Sequence, residues 1–314
     1  MRIEIKSEVP NTYEKFSVEI NESDIVFDLK KYVFAKIEGK IPIEQIEVYF
    51  FKDERDLESK VALDNNSLNV FEFYPDLKKV KTVYIKDKGK QVNIVLVNLI
   101  EYTFPMVFIL IFIYFKGVHN LNVIQKYSIF MIFFHFLKRD FESFYVHIHS
   151  KQMEFYMMVL EFVYYIVYFG IFCGFNLIFE ESENDNNNVN NIKSKYIWND
   201  KRHYTCLMIF IISEICNFQC HLILRKLRID NFNKNSKEIK IPKGNLFRFV
   251  YKANYFWEIC VWFSIAFFIQ LKSFYGFAIL GGIIMAIWAV EKKRKFDDKF
   301  GKNIIKKAII PFIL

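Results

Sequence analysis

The 314 residues carry 43 lysines and arginines against 35 aspartates and glutamates, a formal charge of +8; 53% are hydrophobic and 37 are phenylalanine. A soluble domain has no use for runs such as Ile129-Phe130-Met131-Ile132-Phe133-Phe134, and the charged quarter of the chain is segregated into blocks between such runs, as in a membrane protein with basic loops. A nucleic-acid binder is excluded, because no soluble domain interleaves basic with aromatic residues.

Residues 1–88 read as a separate domain. Ile3 and Ile5 alternate with charges, as in a half-buried strand. Phe16-Ser17-Val18-Glu19-Ile20 alternates again after a turn at Pro10-Asn11. Asp28 to Ile37 has the spacing of an amphipathic helix, and Ile46 to Phe50 reads as a third strand. Either Val70-Phe71-Glu72-Phe73-Tyr74 or Val83-Tyr84-Ile85 closes the set. This order predicts a ubiquitin-like β-grasp, with a generic small α+β domain as the alternative. Met1 to Lys6 alternates and is charged, so no signal peptide is expected there. Lys78, Lys79, Lys81, Lys86, Lys88 and Lys90 precede the first long apolar segment and place this side in the cytosol by the positive-inside rule.

Residues 89–314 read as a multi-pass α-helical membrane domain. Apolar segments run from Val92 to Phe115, Leu121 to Leu137, Met153 to Phe179, Tyr204 to Leu224, Phe249 to Gln270 and Ser273 to Val290. A span needs about 20 residues, and several of these are short or interrupted, so six or seven transmembrane helices are expected. The acidic, Asn-rich loop at 180–200 suits the lumenal side. With six spans the basic stretches at Lys138-Arg139, Arg225 to Lys243 and Lys292 to Lys307 all fall on the cytosolic side.

The five cysteines, Cys173, Cys206, Cys216, Cys220 and Cys260, lie in apolar segments without metal-site spacing and read as small buried hydrophobes; no metal site is expected. Ionisable residues inside a span are functional candidates. Glu101 and Glu258 are the sharpest, whereas Glu161 and Glu214 read as helix–helix hydrogen bonds or water-facing positions. Asn254, Glu258 and Trp262 are four apart on one helical face, with Tyr255 beside them. Such a polar stripe needs helix partners, water or a ligand. Asn217, His221, Arg225 and Arg228 form a second stripe that ends in two guanidiniums and is followed by Lys240, a seat for a large anion such as a phosphorylated cofactor. Lys138 and Arg139 on charge alone are interfacial anchors. No GxGxxG, GxxxxGK[ST], HExxH or GxSxG is present, so standard nucleotide folds and zinc or serine hydrolysis lack their parts.

Several stretches together resemble the steroid 5α-reductase family. Lys240-Ile241-Pro242-Lys243-Gly244-Asn245-Leu246-Phe247, then Ala253 to Glu258 and Trp262, is similar to its C-terminal signature, and Ile310-Pro311-Phe312 to its terminal motif. Ile100-Glu101-Tyr102-Thr103-Phe104-Pro105, Lys138 to His147, and Asn217-Phe218 with His221, Arg225 and Arg228 resemble motifs of its trans-2-enoyl-CoA reductase branch. The resemblance implies NADPH-dependent reduction of very-long-chain trans-2-enoyl-CoA, the last step of fatty acid elongation, in the endoplasmic reticulum membrane beside other elongation enzymes, with the active site facing the cytosol. It implies Glu101 and Tyr255 as catalytic residues. Asn217, His221, Arg225, Arg228, Lys240, Asn254, Glu258 and Trp262 would line NADPH, and Lys138 and Arg139 would meet substrate. The chain departs from the pattern at Phe136, where the family has tyrosine, and at Lys293 and Phe296, where it has histidine and tyrosine. A steroid or polyprenol double-bond reductase, or a non-catalytic membrane adaptor carrying a ubiquitin-like domain, are the alternatives.

Overall fold

A computed structural model describes residues 1–7, 15–52, 60–63, 66–148, 152–180, 200–233, 241–300 and 307–310. The turn expected at Pro10-Asn11, most of the Asn-rich loop, Lys240 and the Pro311-Phe312 motif lie outside the described residues. The chain divides into two compact units, Met1–Val92 with Met153–Tyr156, and the remainder from Asn93.

The first unit is built on a five-stranded sheet. Its strands are β1 (Arg2–Ser7), β2 (Phe16–Glu19), β3 (Ile46–Phe51), β4 (Lys60–Ala62) and β5 (Thr82–Asp87), in the spatial order β2-β1-β5-β3-β4. β1 and β5 are parallel, with Ile5 opposite Val83, and the other pairs are antiparallel. The alternation read in β1 turns Ile3 and Ile5 inward, where both are fully buried with Val18, Val48, Val83 and Ile85. Helix α1 (Val26–Lys36) adds Val26, Leu29 and Val33 to this core. Its first turn is tied by the Ile25 N–H donating to the Asp28 carboxylate at 3.2 Å.

Of the two candidates for the closing strand, Val83 to Ile85 forms it within β5. Val70–Phe73 is instead a helical turn, α2, followed by α3 (Leu77–Val80). The reason is local: the Asn69 side chain accepts from the backbone N–H groups of Phe71 (3.0 Å) and Glu72 (2.9 Å), an N-cap that overrides the β-propensity of a short aromatic run. A short antiparallel pair, β6 (Gln91–Val92) with β7 (Met153–Glu154), completes the unit.

The second unit is helical: α4 (Ile94–Lys116), α5 (Val123–Phe141), α6 (Phe155–Phe162), α7 (Gly174–Phe179), α8 (Asp200–Asn233), α9 (Ala253–Ile269) and α10 (Lys272–Phe300). Five residues after α5, Glu142–Val146, continue as a wider π-helical turn, and Val163–Cys173 forms a longer π-helical stretch joining α6 to α7. Among the described residues four helices are long and apolar enough to cross a membrane: Ile94–Lys116, Phe155–Phe179, Lys201–Asp230 and Lys272–Arg294. This is a mostly helical membrane protein. The apolar helix α9 is shorter, at 17 residues, and α5 carries Lys126, His135, Lys138, Arg139 and Asp140 within its length.

Caps and small residues set how these helices approach. The Asn93 side chain accepts from Val95 N–H at 2.9 Å and starts α4; Asn122 and Gln125 exchange reciprocal side-chain-to-backbone bonds of 2.8 and 3.0 Å and start α5. A Cβ built on Gly170 would lie 3.0 Å from the Pro105 Cα, and one on Gly174 would lie 3.1 Å from Ile109, so glycine lets the π-helical stretch and α7 lie directly on α4. The core is aromatic. Trp262 of α9 sits among Phe136 (5.7 Å between ring centroids), Phe169 (5.1 Å) and Phe277 (4.7 Å), which join α5, the π-helical stretch, α9 and α10.

Candidate active site

The polar groups of α5, α8 and α9 converge on one buried network. Spacings of three, one and three put His135, Lys138, Arg139 and Glu142 on one face of α5 and its π-helical extension. α8 presents Glu214, Asn217 and His221, and α9 presents Asn254 and Glu258; all five are buried. A polar side chain inside an apolar helix must find partners; His135, Lys138, Arg139, Glu214, Asn217, His221 and Glu258 each meet a side chain from another helix, whereas the Asn254 side-chain oxygen has no partner among the described residues.

Glu258 is the hub. Its Oε1 lies 3.1 Å from His135 Nε2 and 4.0 Å from Arg139 Nε, and its Oε2 accepts from Asn217 Nδ2 at 3.2 Å. The same Asn217 amide donates to the Asn254 carbonyl at 2.9 Å, while its Oδ1 accepts from Lys138 at 2.7 Å, so both ends of the amide are assigned. Lys138 also pairs with Glu214 at 2.5 Å, and His135 Nδ1 lies 2.7 Å from Glu214. Arg139 uses its guanidinium as a fork, donating to Glu142 (2.7 Å), His221 Nε2 (3.1 Å) and the Tyr102 hydroxyl (3.2 Å).

Each sequence-derived candidate among the described residues has a definite place. Asn217, His221, Asn254 and Glu258 meet in the network. Lys138 and Arg139 direct their charges inward to its carboxylates rather than standing as free anchors. Arg225 is half-buried and Arg228 exposed; they donate to the backbone carbonyls of Tyr145, within the π-helical turn, and Ile148, just past it. Trp262 shares the face of Asn254 and Glu258 but packs among rings, with His135 4.8 Å away. Glu101 is buried on α4, and its Oε1 has no hydrogen-bond partner among the described residues. Pro105, four residues on, has no N–H for the Glu101 carbonyl. Tyr255 is half-buried beside Trp288 of α10, 6.3 Å away, with the Lys252 ammonium 4.4 Å from its ring. The backbone of Lys252 is fixed by the tail, its N–H donating to the Ala308 carbonyl at 3.1 Å. Burial, with the positive Arg228 nearby, brings the Lys252 ammonium down from 10.5 to about 8.

Sequence reasoning missed His135, Glu142, His147 and Lys252 as members of this region. The i, i+3, i+4, i+7 spacing from His135 to Glu142 was the available signal. Glu142, His147 and His221 bring ligand-type atoms within 4.8 Å of one another. The two imidazoles face each other at 3.0 Å, and Arg139 bonds both Glu142 and His221. A fixed guanidinium against the same atoms opposes a cation there.

Comparison with known proteins decides the family. A profile described as 3-oxo-5-alpha-steroid 4-dehydrogenase matches residues 151–314. The chain belongs to that family. Its relatives include a very-long-chain enoyl-CoA reductase of Dictyostelium discoideum, 30% identical over 250 residues that cover 74% of each chain. A probable very-long-chain enoyl-CoA reductase of Caenorhabditis elegans is 31% identical over 74% of this chain and 75% of its own. A polyprenal reductase of Mesocricetus auratus is 25% identical over 57% of this chain and 54% of its own. Reductases of this family generally use a nicotinamide cofactor, and the residues of the network fit one. Asn254 Oδ1 is buried with no hydrogen-bond donor among the described residues, an acceptor suited to an amide N–H. Beyond it, α8 carries guanidiniums toward its exposed end.

Proposed function

We propose that this protein reduces very-long-chain trans-2-enoyl-CoA to the saturated acyl-CoA, with NADPH as cofactor, in the endoplasmic reticulum membrane. As a member of its family it is an oxidoreductase acting on carbon–carbon bonds. The observation that carries the reading is the wall formed by Asn217, Asn254 and Glu258, a polar surface held rigid inside apolar helices and left with one unused acceptor at Asn254. The relatives with the longest matches carry enoyl-CoA reductase names, which favours an acyl-CoA over a steroid or a polyprenal.

Asn217, His221, Asn254 and Glu258 would hold the nicotinamide end, and Arg225, Arg228 and Lys240 the phosphates; Trp262 closes the wall from behind. Bound NADPH supplies a hydride equivalent to the substrate Cβ. The chain does the rest. Glu101, in its protonated form, donates a hydrogen bond to the thioester oxygen, where negative charge develops. Tyr255 gives a proton to Cα. Lys138 and Arg139 hold Asn217, Glu258 and His221 in register as well as bounding the substrate side. The Phe-rich helix faces accommodate the acyl chain, and the basic cytosolic rim takes the CoA phosphates.

Residues 1–88 form, on this reading, a cytosolic ubiquitin-like β-grasp domain, and residues 89–314 the catalytic domain with six or seven spans. The sheet order β2-β1-β5-β3-β4 with α1 on one face supports the first assignment. Other elongation enzymes are the expected neighbours in the membrane.

The test is NADPH oxidation by the purified full chain, offered a long-chain trans-2-enoyl-CoA, an enone steroid or a polyprenal. Turnover of the enoyl-CoA in preference to the other two is expected. Preference for either competitor, or for NADH, overturns the corresponding part of the reading.

A further inference from the structure

We propose that Lys252 is a positioning residue for the reduction: its ammonium, seated on the ring of Tyr255, stabilises the phenolate that remains once Tyr255 has given its proton to the substrate. The proposal rests on the proton-donor reading of Tyr255. Lys252 is the N-cap of α9, and Tyr255 lies three residues on, in the first turn. The Lys252 Nζ stands 4.4 Å from the centre of the Tyr255 ring, a distance at which a cation is attracted to an aromatic face. The ring itself packs with Trp288, Ala289, Ala308 and Ile309.

Lys252 is fixed in this place. Its N–H donates to the Ala308 carbonyl at 3.1 Å, and its own carbonyl accepts from Tyr255 N–H at 3.1 Å and Phe256 N–H at 3.3 Å. The neighbouring backbone is tied likewise, with Tyr251 N–H donating to the Lys307 carbonyl at 3.0 Å and Lys307 N–H to the Phe249 carbonyl at 2.9 Å. The tail and the helix thus hold the residue from both sides.

For stability alone a lysine is the wrong residue here. The start of a helix carries the positive end of its dipole, so an N-cap side chain is ordinarily an acceptor or an anion. Lys252 offers no acceptor, and no side-chain cap bond forms. Across from it α8 brings the positive Arg228, and no carboxylate pairs with Lys252 among the described residues; burial and Arg228 bring its ammonium down to about 8. α10 presents Trp288 and the tail the Ala308 backbone, so the charged and titratable groups about Lys252 are Arg228 and Tyr255.

The misplaced charge becomes useful when the ring turns negative. In the reduction the Tyr255 O–H bond breaks, a C–H bond forms at Cα, and the electron pair stays on the phenolate oxygen. Its charge spreads into the ring that the ammonium faces. The interaction is therefore stronger in the transition state than before it, which is the condition for accelerating the step. The phenolate regains its proton from water after product leaves.

The experiment measures steady-state reduction of a long-chain enoyl-CoA by the full chain and by Lys252→Met, Lys252→Arg, Tyr255→Phe and the double variant Lys252→Met/Tyr255→Phe, with NADPH affinity by fluorescence. Lys252→Met is expected to lose about 10–100-fold in kcat at pH 7, with KM and NADPH affinity within about twofold of wild type. Lys252→Arg keeps a cation on the ring and should stay within about tenfold. Wild-type kcat/KM should fall as pH rises through about 8, where the ammonium loses its proton, and Lys252→Arg should not show that fall. Because Lys252 acts through the phenol, Lys252→Met should bring no further loss once Tyr255 is replaced by phenylalanine. Equal kcat in Lys252→Met and wild type, or losses that multiply in the double variant, overturn the role and leave Tyr255 as donor. A loss confined to KM or to NADPH affinity also overturns it, by making Lys252 a seat for phosphate. Near-normal turnover by Tyr255→Phe removes the donor and the role together. If the wild type prefers the steroid or the polyprenal, the substrate reading fails, and the same comparison with that substrate decides Lys252, because its conjugated double bond also takes a proton at Cα. A protein that reduces none of the three overturns both readings.

Discussion

Asn217 and Glu258, 41 positions apart in the chain, are joined by a hydrogen bond of 3.2 Å between the amide Nδ2 and the carboxylate Oε2. The bond ties α8 to α9 at the level where His135, Lys138 and Arg139 enter from α5. Glu258 is therefore the counter-charge of a buried cationic cluster as well as part of the cofactor wall. Replacing it with leucine leaves His135 and Arg139 without one of their anions. Breaking such a buried pair from one side costs about 3–5 kcal/mol. Glu258→Leu should lower the unfolding midpoint of the detergent-solubilised protein, and Glu258→Gln should fall between it and wild type; equal midpoints in all three proteins contradict the assignment.

Tyr255 is outside the Asn217–Glu258 network, so its removal tests chemistry with little effect on structure. Tyr255→Phe is expected to reduce kcat by about 10²–10⁴-fold, the range for losing a general acid, while membrane insertion and NADPH affinity stay unchanged. Single-turnover measurements with preloaded NADPH make the comparison; near-normal turnover removes Tyr255 from the proton-donor role.

Lys252 predicts a pH-dependent stability. Its ammonium titrates at about 8 in the folded protein against 10.5 ordinarily, because burial and Arg228 disfavour the charge. Between these values the unfolded chain holds a proton that the folded chain has released, so stability rises with pH across that window. At pH 8 and below, the folded state carries the full cost of the charge. Lys252→Met should therefore be more stable than wild type at pH 7, with the difference shrinking toward pH 10 in thermal-unfolding scans. A difference that does not change with pH contradicts the prediction.

Gly170 and Gly282 make a contrasting pair. A Cβ at Gly170 meets the Pro105 backbone at 3.0 Å, whereas one at Gly282 meets only Ile259, at 3.9 Å. Gly170→Leu should push α4 from the π-helical stretch, destabilising the protein by about 1–3 kcal/mol and reducing turnover by displacing Glu101 on α4. Gly282→Ala should be close to neutral in both measurements.

Periodicity and spacing were sufficient for much of this protein. Alternation around Ile3 and Ile5 specified which face of β1 is buried, because strand side chains alternate across a sheet. Long Phe-rich runs specified the helices, because a helix satisfies its own backbone in lipid. Four-residue spacing placed Asn254, Glu258 and Trp262 on one face of α9, and motif resemblance pointed to the family.

Partnership was decided only in the folded chain. Val70–Phe73 became a helical turn because Asn69 caps it. Trp262 met phenylalanine rings and Glu258 met Asn217 of α8, although Trp262 and Glu258 lie on the same stripe, since that face of α9 borders an aromatic layer at one level and the α5 charges at another. Lys138 and Arg139 turned inward because Glu214 and Glu142 await them. A sequence specifies which side chains an element offers. Which buried charge neutralises which depends on helices that meet only after packing, and in an apolar medium that pairing determines whether a polar residue is a burden or a working part.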